Sequence, residues 1–372
     1  MQRNYNKNVP ELQEKLSKTS ASSTVSVFTE KKQRSLYLAS IERALKNHAK
    51  AERLEICGTQ LIFEKREEAH ALIFGNFCRV RLCPMCAWRR SLKLQSQMYH
   101  ISDYLSDRYG YIFLTLTVRN CEAEQLRETI EAMQYAWQKF KQLKSVKKIL
   151  KGYYRGIEVT HDCEREISKK RYNRAKRYYQ LLGLEPGDLN PNFDKYHPHY
   201  HIVLAVPKSY FTSRDYVRRE QFREMWTSCM KAEYALQVDV KAVRPEKTGK
   251  QSMRSSVNEV TKYAIKDTDY LTDDYELDKK TVSDLERELA NLRFVSMGGA
   301  FKEAHAKLNL GDYDDPAADA QQTSDPAKLV AYIWRTGVTR YDEDAPYVKQ
   351  WLDYEQARLQ HKAEVLAIKG NG

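Results

Sequence analysis

The sequence lacks any apolar run near the roughly 20 residues that a helix needs to cross a bilayer. Its first 18 residues are polar and have no apolar core of the kind a secretory signal carries. We therefore expect a cytoplasmic protein without a membrane partner, in a compartment where disulfides are rare. Its seven cysteines are then free thiols or metal ligands, and their spacing has to decide which.

Acidic residues are in the minority. Asp and Glu number 50 against 62 Lys and Arg, which leaves a net charge of +12. This surplus favours a polyanionic partner such as nucleic acid, although basic surfaces also serve solubility alone. The 25 tyrosines add aromatic faces on which unpaired bases can stack, unless most of them lie in the core.

Strand and helix patterns interleave along the chain. Apolar and β-branched content predicts strands at 111–118, 153–160, 199–206 and 236–243, and helical spacing predicts helices at 35–50, 88–107, 124–150, 213–234 and 255–266. A charged, turn-rich insertion occupies 164–196, an acidic linker covers 310–326, and the tail from 281 is mostly helical. These elements indicate an α+β fold in which helices pack on a central antiparallel sheet.

We divide the chain into four regions on this basis. Residues 1–50 form a flexible basic arm and a helix, and residues 51–100 form a cysteine-rich module. The central sheet and its helices occupy 101–275, and a helical C-terminal region covers 276–372.

The cysteine-rich module contains a knuckle, Cys83-Pro-Met-Cys86, with Cys78 and Cys57 upstream. Four thiolates would close a structural tetrahedral zinc site, although His70 competes with Cys57 for the fourth position. The alternative is a hairpin with reduced thiols. The knuckle leads into Trp88-Arg89-Arg90, so a basic helix that contacts DNA phosphates is a natural hypothesis. The remaining cysteines, Cys121, Cys163 and Cys229, lack ligand spacing.

A histidine cluster, His197-Pro-His199-Tyr-His201, opens the third predicted strand. Side chains alternate between the two faces of a strand, so His199 and His201 share a face while Tyr200 points into the core. Two imidazoles on one face suit a divalent metal with an open position for substrate. A row of partly exposed histidines beside a core strand is the alternative.

Glu158 is our choice for the third ligand. It lies in the apolar strand Gly156–Thr160, where an isolated carboxylate would be costly to bury. Carboxylate with imidazole suits Mg²⁺ or Mn²⁺ acting on a phosphate better than it suits structural zinc. His197 remains open as the third ligand, and Glu158 could instead be exposed on an edge strand or paired with Arg155.

The predicted helix 255–266 carries Glu259, Tyr263 and Lys266 at spacings that place them on one face. A phenol with a pKa of about 10 is a weak nucleophile, but a metal-polarised phosphate and nearby cations favour attack by its phenolate form. Glu259 could act as a general base toward a phenol or a water. This pattern is common by chance, and it indicates a catalytic role only because the histidine cluster lies upstream.

Three motifs in this order resemble those of the plasmid rolling-circle replication initiators (Rep proteins) of the HUH endonuclease superfamily. They are Phe113-Leu-Thr-Leu-Thr117, His197–His201 followed by Ile-Val-Leu, and Glu259-x-x-x-Tyr263-x-x-Lys266. The segment Phe77–Arg90 also resembles the group from Gram-positive plasmids that pairs one catalytic Tyr with a Glu. The resemblance covers roughly residues 45–310.

The resemblance implies the HUH fold, with the histidine strand in the middle of the sheet and the tyrosine on a facing helix. It also implies that His199, His201 and Glu158 hold Mn²⁺ or Mg²⁺ against the scissile phosphate. Tyr263 would nick the plasmid double-strand origin, become linked to the 5′ phosphate and free a 3′ hydroxyl. Lys266 would orient or charge-balance the site, and Glu259 would activate water for the terminating cleavage.

The partners implied by the resemblance are origin DNA, single-stranded DNA, and the host helicase and DNA polymerase. One rival is another HUH enzyme, either a relaxase, whose tyrosine usually precedes the histidine motif, or a single-strand transposase, which is usually shorter. A second rival is a zinc-dependent DNA-binding regulator without catalysis. The regulator does not explain why the histidine strand and the tyrosine segment occur together.

Overall fold

The computed structural model describes residues 21–66, 70–106, 108–243, 253–262, 265–312 and 325–370. Within these ranges, helices accompany two antiparallel sheets, which confirms the predicted α+β class. None of the helices in the described ranges combines the length and apolarity needed to cross a membrane.

The strands and helices are numbered here in chain order. The strands are β1 (Gln60–Lys65), β2 (His70–Gly75), β3 (Gly110–Thr117), β4 (Gly152–His161), β5 (Tyr196–Val206), β6 (Val238–Val243), β7 (Val295–Gly299), β8 (Leu329–Arg335) and β9 (Arg340–Glu343). The helices are α1 (Ala21–Ala44), α2 (His48–Ile56), α3 (Pro84–Leu105), α4 (Leu126–Gln142), α5 (Lys144–Ile149), α6 (Lys169–Arg174), α7 (Lys176–Leu181), α8 (Arg219–Met230), α9 (Met253–Val260), α10 (Tyr275–Glu288), α11 (Ala300–Lys307) and α12 (Ala345–Gly370).

The chain divides into two compact units. The terminal unit combines the described residues up to Arg89 with those from 325 onward, and the central unit holds those from Arg90 to 312.

The terminal unit is built on a four-stranded sheet in the order β2-β1-β8-β9. The cysteine segment supplies the β1–β2 hairpin, and β8 from the far end of the chain pairs antiparallel with β1. Apolar residues of β1 and β8 are covered by α12, with Trp351 among the packed side chains. The C-terminal region therefore has the predicted helices but also the strands β7, β8 and β9, which its residue pattern did not predict.

Helix α1 covers a segment that the composition had marked as a flexible arm. Phe28 is buried in edge-to-face contact with Phe63 and Trp88, at centroid distances of 5.5 and 4.9 Å. The sequence did not predict this helix because the segment is rich in Ser, Thr and Lys. Its buried positions include polar side chains such as Lys32 and Ser35.

The central unit is built on a five-stranded antiparallel sheet in the order β6-β3-β5-β4-β7. The histidine strand β5 lies in the middle, as the resemblance implied. It is buried along nearly its whole length because helices cover both faces of the sheet. The pairing register sets Glu158 opposite His199 and Thr115 opposite His201.

The two faces of this sheet carry different helices. Helices α4 and α8 pack on the face of Tyr200, where Trp137, Phe140 and Trp226 are fully buried. The histidine face is covered by α9, by α11 and by α3 from Leu94 onward, with Phe113, Tyr154 and Val203 in the same apolar cluster.

Several predicted helices end earlier than expected, including the long helix after β3 and the helix that carries Glu259. The helix expected to run through 150 breaks at Leu143, which has an extended ψ of 134°, and resumes as α5. The helix expected at 255–266 is α9, which ends at Val260. Glu259 therefore lies on this helix, whereas Lys266 lies beyond it, at the start of a short 3-10 turn over Asp267–Asp269.

Candidate active site and cysteine cluster

The histidine pair and Glu158 form one group of possible metal ligands. One side-chain ligand atom from each of Glu158, His199 and His201 lies within 4.8 Å of the others, and all three residues are buried. Glu158 Oε2 lies 3.1 Å from His201 Nε2 and 3.5 Å from His199 Nε2. Adjacent strands thus bring together two imidazole nitrogens and a carboxylate, which is a ligand set for a divalent cation.

The other ring nitrogens of the two histidines have partners of their own. His199 Nδ1 lies 3.1 Å from the carbonyl oxygen of His197, to which it can donate. His201 Nδ1 lies 3.2 Å from Thr115 Oγ1, and its ring stacks on Phe113 at 5.6 Å. With the proton on Nδ1, each Nε2 lone pair is free for a metal ion; with a proton on Nε2, the same nitrogen donates to Glu158.

Glu158 is ionised in this setting. Burial alone raises the pKa of a carboxyl, but hydrogen bonds from His199, His201 and Lys266 outweigh burial and hold the pKa of Glu158 well below its usual range. Lys266 Nζ lies 2.9 Å from Glu158 Oε1. The alternatives for Glu158, an exposed position on an edge strand or a pair with Arg155, do not describe this residue: Glu158 is buried on the inner strand β4, and Arg155 lies over the Tyr200 ring.

His197 takes a different position from the pair. Its ring stacks on His199 at 5.2 Å, and it is not part of the group of three. Burial lowers the pKa of His197 to about 4, so its imidazole is neutral at neutral pH. Its backbone carbonyl is the partner of His199 Nδ1, and its ring contributes no ligand atom to the group.

Two charged residues further along the chain, Glu259 and Lys266, also reach this site. Glu259 Oε1 lies 3.6 Å from His201 Nε2, and Glu259 Oε2 accepts a 2.5 Å hydrogen bond from Lys262. Lys266 reaches Glu158 from beyond the end of α9, as described above. Tyr263, the proposed nucleophile, lies outside the described residues. Tyr270, the next tyrosine along the chain, is buried at 1% exposure.

Gly156 was not identified as a site residue from the sequence. It lies opposite His201 on β4, and a β-carbon there would lie 2.5 Å from the carbonyl oxygen of Val260. Only glycine lets the end of α9 approach the sheet this closely. The sequence signal was a lone glycine within a strand pattern, which indicates a close backbone approach but not to which element.

The four cysteines of the terminal unit form a second group. The sulfur atoms of Cys57, Cys78, Cys83 and Cys86 all lie within 4.8 Å of one another, with Cys86 Sγ 3.6 Å from both Cys57 and Cys78. A tetrahedron with zinc–sulfur bonds of 2.3 Å has edges of about 3.8 Å, so the sulfur positions fit a zinc ion. His70, the competitor for the fourth position, is not part of this group.

Helix α1 contributes polar contacts to the cysteine cluster. Ser35 Oγ lies 3.5 Å from Cys83 Sγ, and the fully buried Lys32 donates to the carbonyl oxygens of Glu55 and Cys57. Although burial alone raises the pKa of a thiol, hydrogen bonds from the neighbouring thiols and Ser35 leave the pKa of Cys83 well below its ordinary value. A thiolate is the form that binds metal, and a nearby cation offsets its charge.

The fold and these groups define an α+β protein with a histidine–carboxylate ligand group on the central strand of an antiparallel sheet and a separate four-cysteine cluster. The family model described as "Replication protein" matches residues 69–342. "Protein rep" of Bacillus amyloliquefaciens is 33% identical over 318 residues, covering 78% of this chain and 84% of the relative. "Protein rep" of Lentilactobacillus hilgardii is 35% identical over 293 residues, covering 77% and 84%.

"Protein rep" of Streptococcus pneumoniae serotype 2 is 32% identical over 301 residues, covering 78% of this chain and 83% of the relative. No solved structure gave a significant match. The chain belongs to the replication protein (Rep) family of plasmids, which confirms the resemblance drawn from its motifs.

Proposed function

We propose that this protein initiates rolling-circle replication by nicking the double-strand origin of its plasmid with Tyr263. The observation that carries the proposal is the convergence of Glu158, His199 and His201 on one face of the central sheet. Family membership supports a role in plasmid DNA replication, and the ligand group supplies a reason for the chemistry to take place at this face.

Glu158, His199 and His201 would hold Mn²⁺ or Mg²⁺, which polarises the scissile phosphate and offsets its developing negative charge. The partners of the two Nδ1 atoms, the His197 carbonyl oxygen and Thr115 Oγ1, can both accept a proton from Nδ1 and would favour the ligand tautomer when an ion binds. Lys266, which pairs with Glu158, adds positive charge beside the phosphate. The resulting field favours an anionic nucleophile at this position.

Tyr263 is bounded along the chain by two residues that reach this group, Glu259 and Lys266. Its phenolic oxygen would give up its proton, attack the phosphorus and form a 5′-phosphotyrosine bond. The bond from phosphorus to the 3′ oxygen breaks, and this oxygen takes up a proton to become the 3′ hydroxyl that primes the host polymerase. The phosphodiester energy is kept in the new bond, so the step needs no other reactant.

Glu259 would act in the terminating step. A tyrosine that is already linked to DNA cannot attack a second phosphate, so a water activated by Glu259 would make the last cut by hydrolysis. The carboxylate lies 3.6 Å from His201 Nε2, so it borders the ligand group and could contact a water that binds beside the phosphate. The buried position of Tyr270 argues against this tyrosine as a replacement nucleophile.

The four-cysteine cluster would hold a structural zinc ion that stabilises the terminal unit. The basic stretch that follows it, Trp88-Arg89-Arg90, remains a candidate for contact with DNA phosphates.

The experiment incubates the protein with its supercoiled parent plasmid, with Mn²⁺ and without it. We expect nicked circles with Mn²⁺ only, and none with Tyr263→Phe, which should still bind the plasmid. Binding without nicking by the unmodified protein would contradict the proposal and favour a DNA-binding regulator. Nicking by Tyr263→Phe at the original rate would move the nucleophile to another residue.

A further inference from the structure

The insertion between β4 and β5 forms a small structure of its own. It leaves β4 after His161 and returns at Tyr196, the last residue pair of these two strands. Helices α6 and α7 pack through Ile167, Tyr172 and Tyr179, which are buried together. The insertion is therefore an ordered feature of the described structure, with a core separate from the sheet.

The insertion has an unusual charge distribution. Between Ile167 and Leu184 it contains six basic residues and no acidic one. The basic residues are Lys169, Lys170, Arg171, Arg174, Lys176 and Arg177. All except Arg171 are exposed and form no ion pair among the described residues. Five charges of one sign on a short helix pair repel one another, and a polyanion would relieve this repulsion.

The cations point away from the small core. Tyr172 and Tyr179 face inward, so the helical period turns Lys170 and Arg174 on α6, and Arg177 on α7, toward solvent. Cations four residues apart on one helix face follow each other along the axis. Such a row is suited to the regularly spaced phosphates of a DNA backbone.

Arg171 anchors the helix pair instead of joining this surface. Its guanidinium makes a bidentate pair with Asp162, at 2.5 and 2.7 Å, directly after the end of β4. Asn190 Nδ2 also donates to Asp162 at 3.0 Å from the returning arm. The insertion is thus held at its base, so binding a ligand would cost little ordering entropy.

The insertion leaves the sheet close to the ligand group. Glu158 lies three residues before the end of β4, and His199 lies three residues after the start of β5. At about 3.3 Å per residue, the base of the insertion is roughly 10 Å along the strands from these ligands. A nucleic acid whose phosphate is held at the ligand group would therefore have its flanking region near the insertion.

The aromatic residues of the insertion favour duplex over single-stranded DNA as the ligand. Tyr172 and Tyr179 stack on each other inside the core, at 5.9 Å, and offer no free face to a base. Tyr178 is exposed, but its ring packs edge-on against Tyr179 and its hydroxyl accepts from Asn192. Five exposed cations beside a single exposed tyrosine match phosphate contacts better than base stacking.

We propose that α6 and α7 bind the sugar-phosphate backbone of duplex origin DNA next to the nick site. This inference rests on the proposed function for the position of the nick, but not for the binding itself. The contacts would be electrostatic, so affinity should fall steeply with salt, by a slope of about one for each phosphate neutralised.

The test compares a triple variant, Lys170→Ala with Arg174→Ala and Arg177→Ala, with a control of equal charge change. The control is Lys144→Ala with Lys147→Ala and Lys208→Ala, three exposed cations beside the opposite ends of β4 and β5. Affinity for a duplex fragment carrying the parent plasmid origin, and for one of its single strands, is measured by anisotropy over a range of salt concentrations. Affinity for Mn²⁺ is measured in parallel.

We expect the insertion variant to bind duplex DNA roughly ten- to a hundredfold more weakly at low salt, with a salt slope lower by about two to three. The control should change little, and both variants should bind Mn²⁺ normally. Equal losses in the two variants, or no loss in the insertion variant, would overturn the inference. A loss confined to single-stranded DNA would also overturn it. If the unmodified protein fails to nick, the proposed function is wrong. The duplex measurement still decides whether α6 and α7 bind DNA.

Discussion

Gly156 on β4 faces the carbonyl oxygen of Val260 at the end of α9, and a β-carbon at Gly156 would lie 2.5 Å from this oxygen. Gly156 is also the partner of His201 in the sheet. One contact therefore fixes the distance between the ligand strands and the helix that carries Glu259.

We predict that Gly156→Ala displaces the end of α9 and slows nicking by about a hundredfold, the loss that a misplacement of about 1 Å can cause. The free energy of unfolding should fall by only about 1–3 kcal/mol, the usual cost of overpacking. Nicking of supercoiled plasmid and urea unfolding measure the two effects.

Gly337→Ala is the matched control, because a β-carbon there meets nothing within 4 Å and the backbone has no positive φ. It should leave both quantities unchanged. If Gly156→Ala nicks at the normal rate, the close approach does not position the site.

The ligand group gives a prediction about metal binding that separates the two candidates for the third ligand. His199→Ala should weaken Mn²⁺ binding by at least about a hundredfold, because it removes a ligand and leaves Glu158 with fewer partners. His197→Ala should keep nearly full affinity, because its ring lies outside the group. Calorimetric titration with Mn²⁺ provides the measurement, and a comparable loss in His197→Ala would make His197 a ligand.

The cysteine cluster predicts a zinc requirement for stability. Cys83→Ser should lose the bound zinc and at least about 3 kcal/mol of unfolding free energy, since structural zinc sites contribute on the order of 10 kcal/mol. Cys229→Ser is the control, since this half-buried thiol lies outside the cluster. Zinc content and thermal unfolding are the readouts. If Cys83→Ser kept full stability without metal, the cluster would be a set of reduced thiols and not a zinc site.

The sequence predicted the ligand group because its signal is local. Alternation along a strand is enough to put His199 and His201 on one face, and a carboxylate in an apolar strand marks Glu158 as needing a partner. The register that pairs Glu158 with His199 comes from packing both strands into the core, which short-range patterns do not encode.

Other features depend on contacts between distant parts of the chain. The pairing of β8 with β1 joins residues more than 260 positions apart. The sequence of either strand therefore does not indicate which strand it pairs with. Lys32 is a polar residue in a polar segment, and only the fold reveals that it is buried beside Cys57. The early end of α9 was missed because residues 261–266 continue a helical pattern, although Lys266 still reaches Glu158.

Glu259 should matter for termination more than for initiation. We predict that Glu259→Ala nicks within a few-fold of the normal rate but stays covalently linked to DNA, because water is no longer activated for the last cut. Denaturing gels of reactions on a single-stranded substrate with a regenerated nick site would show this as persistent protein–DNA adduct. Glu128→Ala, an exposed change on α4, should release its product normally. Normal release by Glu259→Ala would remove Glu259 from the mechanism.

The most direct measurement is mass spectrometry of the protein after reaction with a single-stranded oligonucleotide from the origin and Mn²⁺. Our account predicts one peptide, containing Tyr263, that carries the nucleotide through a 5′ phosphate, and no such adduct when His199 and His201 are both replaced by Ala. A nucleotide attached to any other side chain, or a cut oligonucleotide with no attached protein, would contradict it.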